Sequence, residues 1–394
     1  MSENSLKRAD IIFAPYSSYP YQVLGEMLKK DKDEVIQELI DSGLKGRGGA
    51  GFLTGLKWKL AKAEKSDQKF VICNADEGEP GTFKDREILM QVPRKVISGM
   101  ALCAHIIGAS KGIIYLRAEY NFLKKDLFQE IEKFKSTTKS LNLNFSIDIF
   151  SGSGAYVCGE ETALIESMEG KRGEPSNKPP FPVSHGYLGK PTVVNNVETF
   201  VSAIMACNMG AEKYSKFGVH GQKGSKLFSI SGDTPKGGVH ELELGLRVQD
   251  LVDEFGDGHT KAVQVGGVSG FCVPRKCFEK RTIGFPGKLT GDSLPTGGSI
   301  MLFNSSRSMY NVLHNYLEFF CEESCGQCTP CRIGTQQLLK GVEAIKSNKK
   351  PPSYLNTLVK LADTMRLASK CGLGQSVANS FQSIVEEFKE EIIY

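Results

Sequence analysis

The 394-residue sequence carries no marked excess of either charge. Its 49 basic and 45 acidic residues leave +4, too near balance for the basic footprint of a nucleic-acid binder. Long apolar runs are missing too. The most apolar stretch, Val96 to Leu116, is broken by Ser98, His105, Ser110, Lys111 and three glycines, whereas a membrane span needs ~20 predominantly apolar residues. A buried helix, a turn and a strand are expected there, and no membrane crossing. The opening MSENSLKRADII lacks the apolar segment of a signal peptide, so a cytoplasmic location is expected. The six histidines have no ligand spacing, and no Ser/His/Asp order is apparent. Internal repeats and low-complexity tracts are absent. Neither the dinucleotide fingerprint nor the P-loop occurs, since GRGGAGF (Gly46–Phe52) has no closing Lys-Ser/Thr.

What is present is globular: hydrophobic residues are 40%, charged residues 24% and aromatics 9%. At ~150 residues per domain, two or three domains are expected. Glycine, at 42 residues, exceeds the usual ~7% and falls in clusters, which suggests backbone packed against ligands. The eleven cysteines are an odd number in a chain too large to need disulfide staples. In a reduced compartment, clustered cysteines are metal ligands or redox groups more often than cross-links.

Three zones follow along the chain. Residues 1–44 form a helical lead-in, in which Val35, Ile36, Leu39 and Ile40 repeat at helical spacing. From Phe70 strand and helix alternate: strands at Phe70–Cys73, Ile113–Arg117 and Phe145–Phe150, helices at 82–108 (broken at Pro93) and Glu119–Phe134, a helix ending near Gly170, and another from Asn196 to about Cys207. This pattern predicts a parallel, doubly wound sheet, whose ligands sit at the carboxyl ends of the strands. The loops Asn74–Gly81 and Ser151–Glu161 both follow strands and should share one crevice. The Pro-, Gly- and Lys-rich stretch 171–192 is a long irregular segment. Residues 223–306 read as a small mixed β domain, and 307–394 as a helical bundle in which Tyr354, Leu355, Leu358, Ala362 and Met365 make one stripe. The predicted domains are therefore 1–222, 223–306 and 307–394.

The strongest chemical signal is SCGQCTPC, with Cys325, Cys328 and Cys331 spaced C-x2-C-x2-C, followed by a distant Cys371 in KCGLGQ. Three closely spaced thiolates suit three corners of a tetranuclear iron–sulfur cluster, and a remote cysteine takes the fourth. Structural zinc is the alternative, but it more often uses two separated C-x2-C pairs. In GRGGAGF, adjacent glycines let backbone N–H groups approach a phosphate or a flat ring; a surface turn would look similar. The acidic loop presents Asn74, Asp76, Glu77 and Glu79, which can accept hydrogen bonds from ribose or ribityl hydroxyls; magnesium binding or a solvated turn are the alternatives. Gly159, Glu160 and Glu161 stand at a helix start, where acidic residues also cap. Asn196, after Asn195, either caps the next helix or leaves its N-terminus to a phosphate. Cys272 and Cys277, spaced C-x4-C, are taken as structural, and Cys73, Cys103, Cys158, Cys207 and Cys321 as core.

Together the stretches GLKGRGGAGFLTGLKW, NADEGEPGTFKDR, GAYVCGEETALIESMEG, VVNNVETF, ESCGQCTPCRIGT and KCGLGQ resemble, in order and over nearly the whole chain, the NADH-binding flavoprotein subunit of complex I and its relatives. Those relatives include the diaphorase subunits of NAD-linked hydrogenases and formate dehydrogenases. The resemblance implies a Rossmann-like α/β domain for FMN and NAD(H), a ubiquitin-like (β-grasp) domain and a helical bundle with a [4Fe-4S] cluster on Cys325, Cys328, Cys331 and Cys371. By the same resemblance FMN meets Gly46, Gly48, Gly49, Lys57, Asn74, Asp76, Tyr156, Gly159, Glu160, Asn195 and Asn196. NADH meets Phe52, Glu77, Glu79, Glu161, Lys178 and Phe181, with the two aromatics suited to an adenine stack. Leu60 stands where the family has a further aromatic.

The family's activity implies hydride transfer between NAD(H) and FMN, then single electrons through the cluster into a multisubunit complex. No side chain need act as nucleophile or obligatory acid. The variants CGQCTPCRIG and CGLGQSVANSF look closer to the hydrogenase and formate-dehydrogenase branch, electron-bifurcating members included, than to respiratory NADH-quinone oxidoreductase, the alternative. With no fused ferredoxin-like or thioredoxin-like domain in the sequence, a separate small [2Fe-2S] thioredoxin-like partner is expected. A further iron–sulfur subunit and a terminal catalytic subunit are expected beside it. Two rivals from other classes are an iron–sulfur scaffold with a vestigial flavin site and a flavin quinone reductase without nicotinamide specificity.

Overall fold

Alternation with a period of two organises the first sheet. In the computed structural model, which describes Leu6 and residues 8–15, 21–286 and 292–394, helices α1 (Gln22–Met27), α2 (Lys32–Asp41) and α3 (Thr54–Ala63) lead into strand β1 (Phe70–Ala75). Then come α4 (Lys84–Gln91), α5 (Pro93–Ile107), β2 (Lys111–Leu116), α6 (Lys124–Thr138), β3 (Ser146–Ser151), α7 (Glu161–Met168), β4 (Thr192–Asn196), α8 (Val197–Met209) and α9 (Ala211–Ser215). The four strands are parallel, in the order β3-β2-β1-β4. Val71, Cys73, Ala75, Ile114, Leu116 and Val193 face one core with α5 and α8. Ile72, Ile113, Tyr115 and Val194 face the other, which continues into the C-terminal helices. Helix α5 starts on Pro93, where the missing N–H costs nothing. It crosses α8 at Gly99, where a Cβ would lie 2.1 Å from the Phe200 carbonyl oxygen.

The second group is a five-stranded mixed sheet: β5 (Ser225–Gly232), β6 (Gly238–Glu243), β7 (Thr260–Val265), β8 (Phe271–Pro274) and β11 (Ser299–Asn304), with α10 (Val248–Phe255) after β6 and the short pair β9 (Thr282–Ile283) and β10 (Ser293–Leu294). Its order is β6-β5-β11-β7-β8, with only β11 and β5 parallel. Helix α10 buries Val248, Leu251 and Phe255 against the sheet. The third group is helical: α11 (Met309–Glu323), α12 (Thr329–Lys346), α13 (Leu355–Ala368), α14 (Gly372–Glu387) and α15 (Lys389–Ile393). Leu355, Leu358, Ala362 and Met365 are buried, as their spacing predicts, and Tyr354 is half-buried.

The structure departs from the sequence reading in several places, among them the unexpected helices α3 and α9 and the short pair β9 and β10. The helix expected from Glu119 begins as a 3-10 turn, Ala118–Leu123, before α6. Helix α10 and strand β8 were not expected, although Val248, Leu251 and Phe255 have helical spacing and Asp250 accepts the Arg247 N–H at 3.0 Å. Cys321 is half-buried rather than core. Part of the lead-in over 1–44 lies outside the described residues.

One buried carboxylate joins the two sheets. Glu198, fully buried near the start of α8, receives Lys226 of β5 at 2.9 Å and Lys84 of α4 at 3.0 Å, and also accepts the Leu227 N–H at 2.8 Å. Burial pushes Glu198 up, but the two lysines outweigh it and hold it below the usual carboxylate range. Lys226, desolvated and next to Lys84, is pulled down to about 7. Removing one partner of a buried ion pair costs about 3–5 kcal/mol. Glu198→Ala should therefore lower stability by about that much, read as a shift of the midpoint in urea unfolding. An unshifted midpoint would mean that the lysines find other acceptors.

Candidate functional site

The carboxyl ends of β1 and β4 open on a crevice of about 480 Å³, within the ~300–1,000 Å³ usual for small-molecule sites. All three groups of elements line it. The glycine loop contributes Gly48 and Gly49, and the loop after β1 contributes Asn74, Asp76, Glu77 and Glu79. The turn before α7 adds Tyr156, Gly159 and Glu160, and Asn196 stands at the start of α8. From the mixed sheet come Ser269 and Thr296, and from the bundle Cys371, Leu373 and Asn379. The two loops expected to share a crevice do share it.

Glycine is required where the loop is tightest. A Cβ at Gly48 would sit 3.2 Å from Asn196 Cβ, and Gly49 has φ +115°, a region that L side chains rarely adopt. Asn196 caps α8 by accepting the Glu198 N–H at 3.0 Å, while its amide donates to Asp85 at 2.6 Å. Lys84 holds the same Asn196 oxygen at 3.3 Å. Glu160 caps α7, accepting from Thr162 and Ala163 N–H groups at 2.9 and 3.0 Å. Both capping readings therefore hold, and both caps also line the crevice. Glu77 is turned toward α4: it accepts the Asp85 and Arg86 N–H groups at 2.8 and 3.1 Å and the Tyr120 hydroxyl at 3.0 Å.

Other expected residues stand outside the crevice wall. Gly46 closes the glycine loop by donating to the Phe52 carbonyl at 2.8 Å. Asn195 is buried and accepts the Trp58 indole N–H at 3.0 Å. Lys57 reaches Val194 O at 3.1 Å and Glu161 at 3.4 Å. Lys178 bonds Glu160 at 2.7 Å and Glu161 at 3.0 Å, making one charged cluster of these four side chains. Phe52 and Phe181 are exposed, at 47% and 53%, as is Leu60 at 45%; exposed aromatic faces suit stacking. Sequence reasoning missed Ser269, Asn379, Lys84 and Asp85. The first two lie in a glycine turn and a helix with no distinguishing pattern. The last two lie within NADEGEPGTFKDR, without a spacing that signals a role.

Cys325, Cys328, Cys331 and Cys371 line a second, smaller cavity with Val157, Pro175 and Leu373. All four are free thiols. Burial pushes Cys331 up to about 11, and its three sister thiols add to the shift. Four thiols gathered on one cavity suit a bound iron centre that deprotonates them. Cys272 is buried and Cys277 half-buried, and neither lines this cavity.

The crevice offers unpaired polar atoms to a ligand. Asp76 Oδ2 and Thr82 Oγ1 are buried without a hydrogen-bond partner, which is uncommon unless a ligand completes them. The hydroxyls of a ribityl chain can supply what Asp76 lacks, so the residues present fit a flavin nucleotide. Burial pushes Asp76 up to about 7, against the pull of Arg117. A carboxyl raised on folding favours the folded state fully below its ordinary value, and that contribution is lost as pH climbs through about 7. Asp76→Asn should therefore flatten the decline of Tm of the ligand-free chain over that interval. An unchanged slope would exclude the buried carboxyl as its source.

Comparison with known proteins follows the same division. The family described as the Nuo51 FMN-binding domain matches residues 39–205, and the NADH-ubiquinone oxidoreductase-F iron-sulfur binding region matches residues 311–394. The chain is 40% identical over 397 residues to the NAD-reducing hydrogenase HoxS subunit alpha of Cupriavidus necator, covering 99% of this chain and 65% of the relative. It is 38% identical to the NADP-reducing hydrogenase subunit HndC of Solidesulfovibrio fructosivorans, over 94% of this chain and 78% of the relative. An NADH-quinone oxidoreductase subunit of Aquifex aeolicus is 37% identical, over 94% of this chain and 88% of the relative. Among solved structures, an NAD+-reducing [NiFe]-hydrogenase in the H2-reduced state matches with TM-score 0.88 and 40% identity, over 95% of this chain and 64% of that chain. The chain thus spans less than two thirds of the length of the HoxS protein. The matched FMN-binding domain, the matched iron–sulfur region and these relatives show that the chain belongs to the family of NADH-binding flavoprotein subunits found in NADH-quinone oxidoreductases and in NAD- and NADP-reducing hydrogenases.

Proposed function

We propose that the chain is the diaphorase subunit of a soluble, cytoplasmic NAD-linked hydrogenase, exchanging hydride with NAD(H) and single electrons with the rest of the complex. The observation that carries this reading is a shared wall: Val157, Cys371 and Leu373 line both the crevice and the four-cysteine cavity. FMN, when bound, converts a two-electron donor into a one-electron donor. Everything else falls to the chain. Gly48 and Gly49 admit the flavin close to backbone, Asn74, Asp76 and Tyr156 orient it, and Asn196 marks the end of α8 near which its phosphate lies. Gly46, Lys57, Gly159, Glu160 and Asn195 support this set. The nucleotide lies across Glu79, Glu161 and Lys178, with Phe52 and Phe181 about its adenine; Glu77, engaged in capping α4, acts through its loop. Cys325, Cys328, Cys331 and Cys371 hold the cluster.

The domains are read as 1–222, 223–306 and 307–394, the second a β-grasp unit, which is supported by its strand order and by α10 between β6 and β7. The cytoplasmic placement draws support from the eleven free cysteines; no helix among the described residues is long and apolar enough to cross a membrane. The expected partners are a small [2Fe-2S] thioredoxin-like subunit, a further iron–sulfur subunit and a terminal catalytic subunit. The hydrogenase branch draws on two relatives named as hydrogenase subunits; the formate-dehydrogenase reading draws on the sequence variants alone. Respiratory NADH-quinone oxidoreductase is the second reading, favoured by the Aquifex relative, of which the chain covers 88%.

Two measurements test the site. Iron and sulfide analysis should give about four of each per chain, and Cys371→Ser should lower both; stoichiometric zinc in their place would remove the cluster. Gly49→Val should expel FMN while iron and sulfide persist, because the added side chain occupies cofactor space in a region apart from the cysteines. Full FMN retention would move the flavin away from this loop. The protein that co-purifies with the chain decides between hydrogenase and quinone-linked complex.

A further inference from the structure

Three oxygens meet where the three groups of elements converge on the crevice. The Tyr156 hydroxyl lies 2.6 Å from Glu79 Oε2 and 2.6 Å from the Ser269 hydroxyl, and the Ser269 hydroxyl lies 2.9 Å from the same Glu79 oxygen. Each side of this triangle is at hydrogen-bond distance. Tyr156 and Ser269 own one proton each, so with Glu79 ionised one side has no hydrogen and sets two oxygens against each other. A protonated Glu79 brings the third donor and closes the ring.

The surroundings favour that closure. The groups facing Glu79 are Tyr156 from the turn before α7, the Ser269 hydroxyl, and the Val268 and Ser269 N–H groups of the β7–β8 turn. From α11 comes the Tyr316 phenol, whose oxygen is buried without a partner. No lysine or arginine is among the described groups that chiefly set its charge. Burial raises Glu79 above the usual carboxylate range, with Tyr156 and Ser269 pulling the other way. The triangle is also clamped from outside. The Tyr156 N–H donates to Glu323 at 2.9 Å, the Tyr156 ring packs edge-on against Phe319, and Asn379 donates to the Ser269 carbonyl at 3.1 Å.

We infer that the Tyr156–Ser269–Glu79 triangle holds a proton before nucleotide binds and releases it to solvent when hydroxyl or amide donors of NAD(H) engage the Glu79 carboxylate, with Ser269 as the positioning residue. This rests on the reading that Glu79 faces the nucleotide. An incoming donor supplies the hydrogen that the ionised triangle lacks, so the carboxyl proton becomes dispensable at the moment of binding.

The probe is NAD+, which binds without reducing the flavin. Calorimetry of the oxidised holoprotein in buffers of different ionisation enthalpy should show up to one proton released per NAD+ over the pH interval in which the free site still holds it. The infrared difference spectrum on adding NAD+ should show loss of one protonated-carboxyl carbonyl band, and that loss should be missing from Glu79→Gln. Ser269→Ala leaves a single oxygen pair, which the Tyr156 proton fills without help from the carboxyl, so the pH of half-release should fall and the buffer-dependent heat should shrink; Ser269→Thr should restore both. Heats independent of buffer at every pH, with Glu79→Gln still weakening NAD+ binding, would overturn the proton and leave the nucleotide site standing. Wild-type NAD+ affinity in Glu79→Gln would instead remove the nucleotide reading itself.

Discussion

Glu198 carries two lysines from different parts of the chain on one carboxylate, and all three side chains are buried. A buried charge is tolerable only when paired, so Lys84, Lys226 and Glu198 must keep their mutual positions. That requirement fixes β5 against the starts of α4 and α8. Lys84 is also bound to Asp85 at 2.6 Å, and both it and Asp85 hold the Asn196 side chain over Gly48. The floor of the crevice is thus set by an electrostatic knot just beneath it. For Lys84, burial opposes the charge, but Asp85, Glu198 and Glu77 outweigh it and leave the ammonium firmly protonated.

Above that floor the crevice has the opposite character. Asp76, Glu77, Glu79 and Glu160 line it, and among the described residues Lys84 is the lone basic member of its lining. Burial raises Asp76 and Glu77 to about 7 each. Such a surface repels phosphate and attracts donors. A dinucleotide and a flavin nucleotide present both kinds of group, so their phosphates must be directed away from the carboxylates. The glycine loop and the N-terminal end of α8 in the wall, and Lys57 and Lys178 outside it, are the parts able to take them.

The parts of this arrangement that the sequence announced are those with a local physical signature. Short apolar runs placed β1, β2 and β3, Pro93 marked the break at which α5 begins, and Asn196 marked a helix start, because φ restriction and capping act on single residues. The cysteine spacing singled out Cys325, Cys328, Cys331 and Cys371 before any tertiary contact was known, and the fold brings all four to one cavity. Ser269 was illegible for the opposite reason. It sits in a glycine turn, and it meets Tyr156 and Glu79, more than a hundred residues distant, only through folding. Asn195 shows the same limit from the other side. Its neighbour Asn196 faces the crevice, but the strand pleat turns Asn195 to Trp58, so adjacency in a motif did not mean adjacency in the site.

The thin partition between crevice and cysteines gives the C-terminal helices a mechanical task. One-electron transfer falls steeply with distance, so a cluster held on Cys371, as proposed, would exchange electrons with the crevice only while α14 stays against it. Several contacts keep it there. The Ser383 hydroxyl accepts the Cys272 N–H at 3.0 Å, Asn379 reaches the β7–β8 turn, and Lys261 of β7 pairs with Glu391 of α15 at 2.9 Å. Glu391 also accepts the Met309 N–H at the start of α11 at 2.7 Å. The bundle is therefore pinned to the mixed sheet from the middle of α14 through α15, and the sheet is pinned to the crevice floor through Glu198. A substitution in β7 or α15, far from any cofactor, would act on electron transfer by loosening this chain of contacts, whereas one in the glycine loop would act on flavin binding alone.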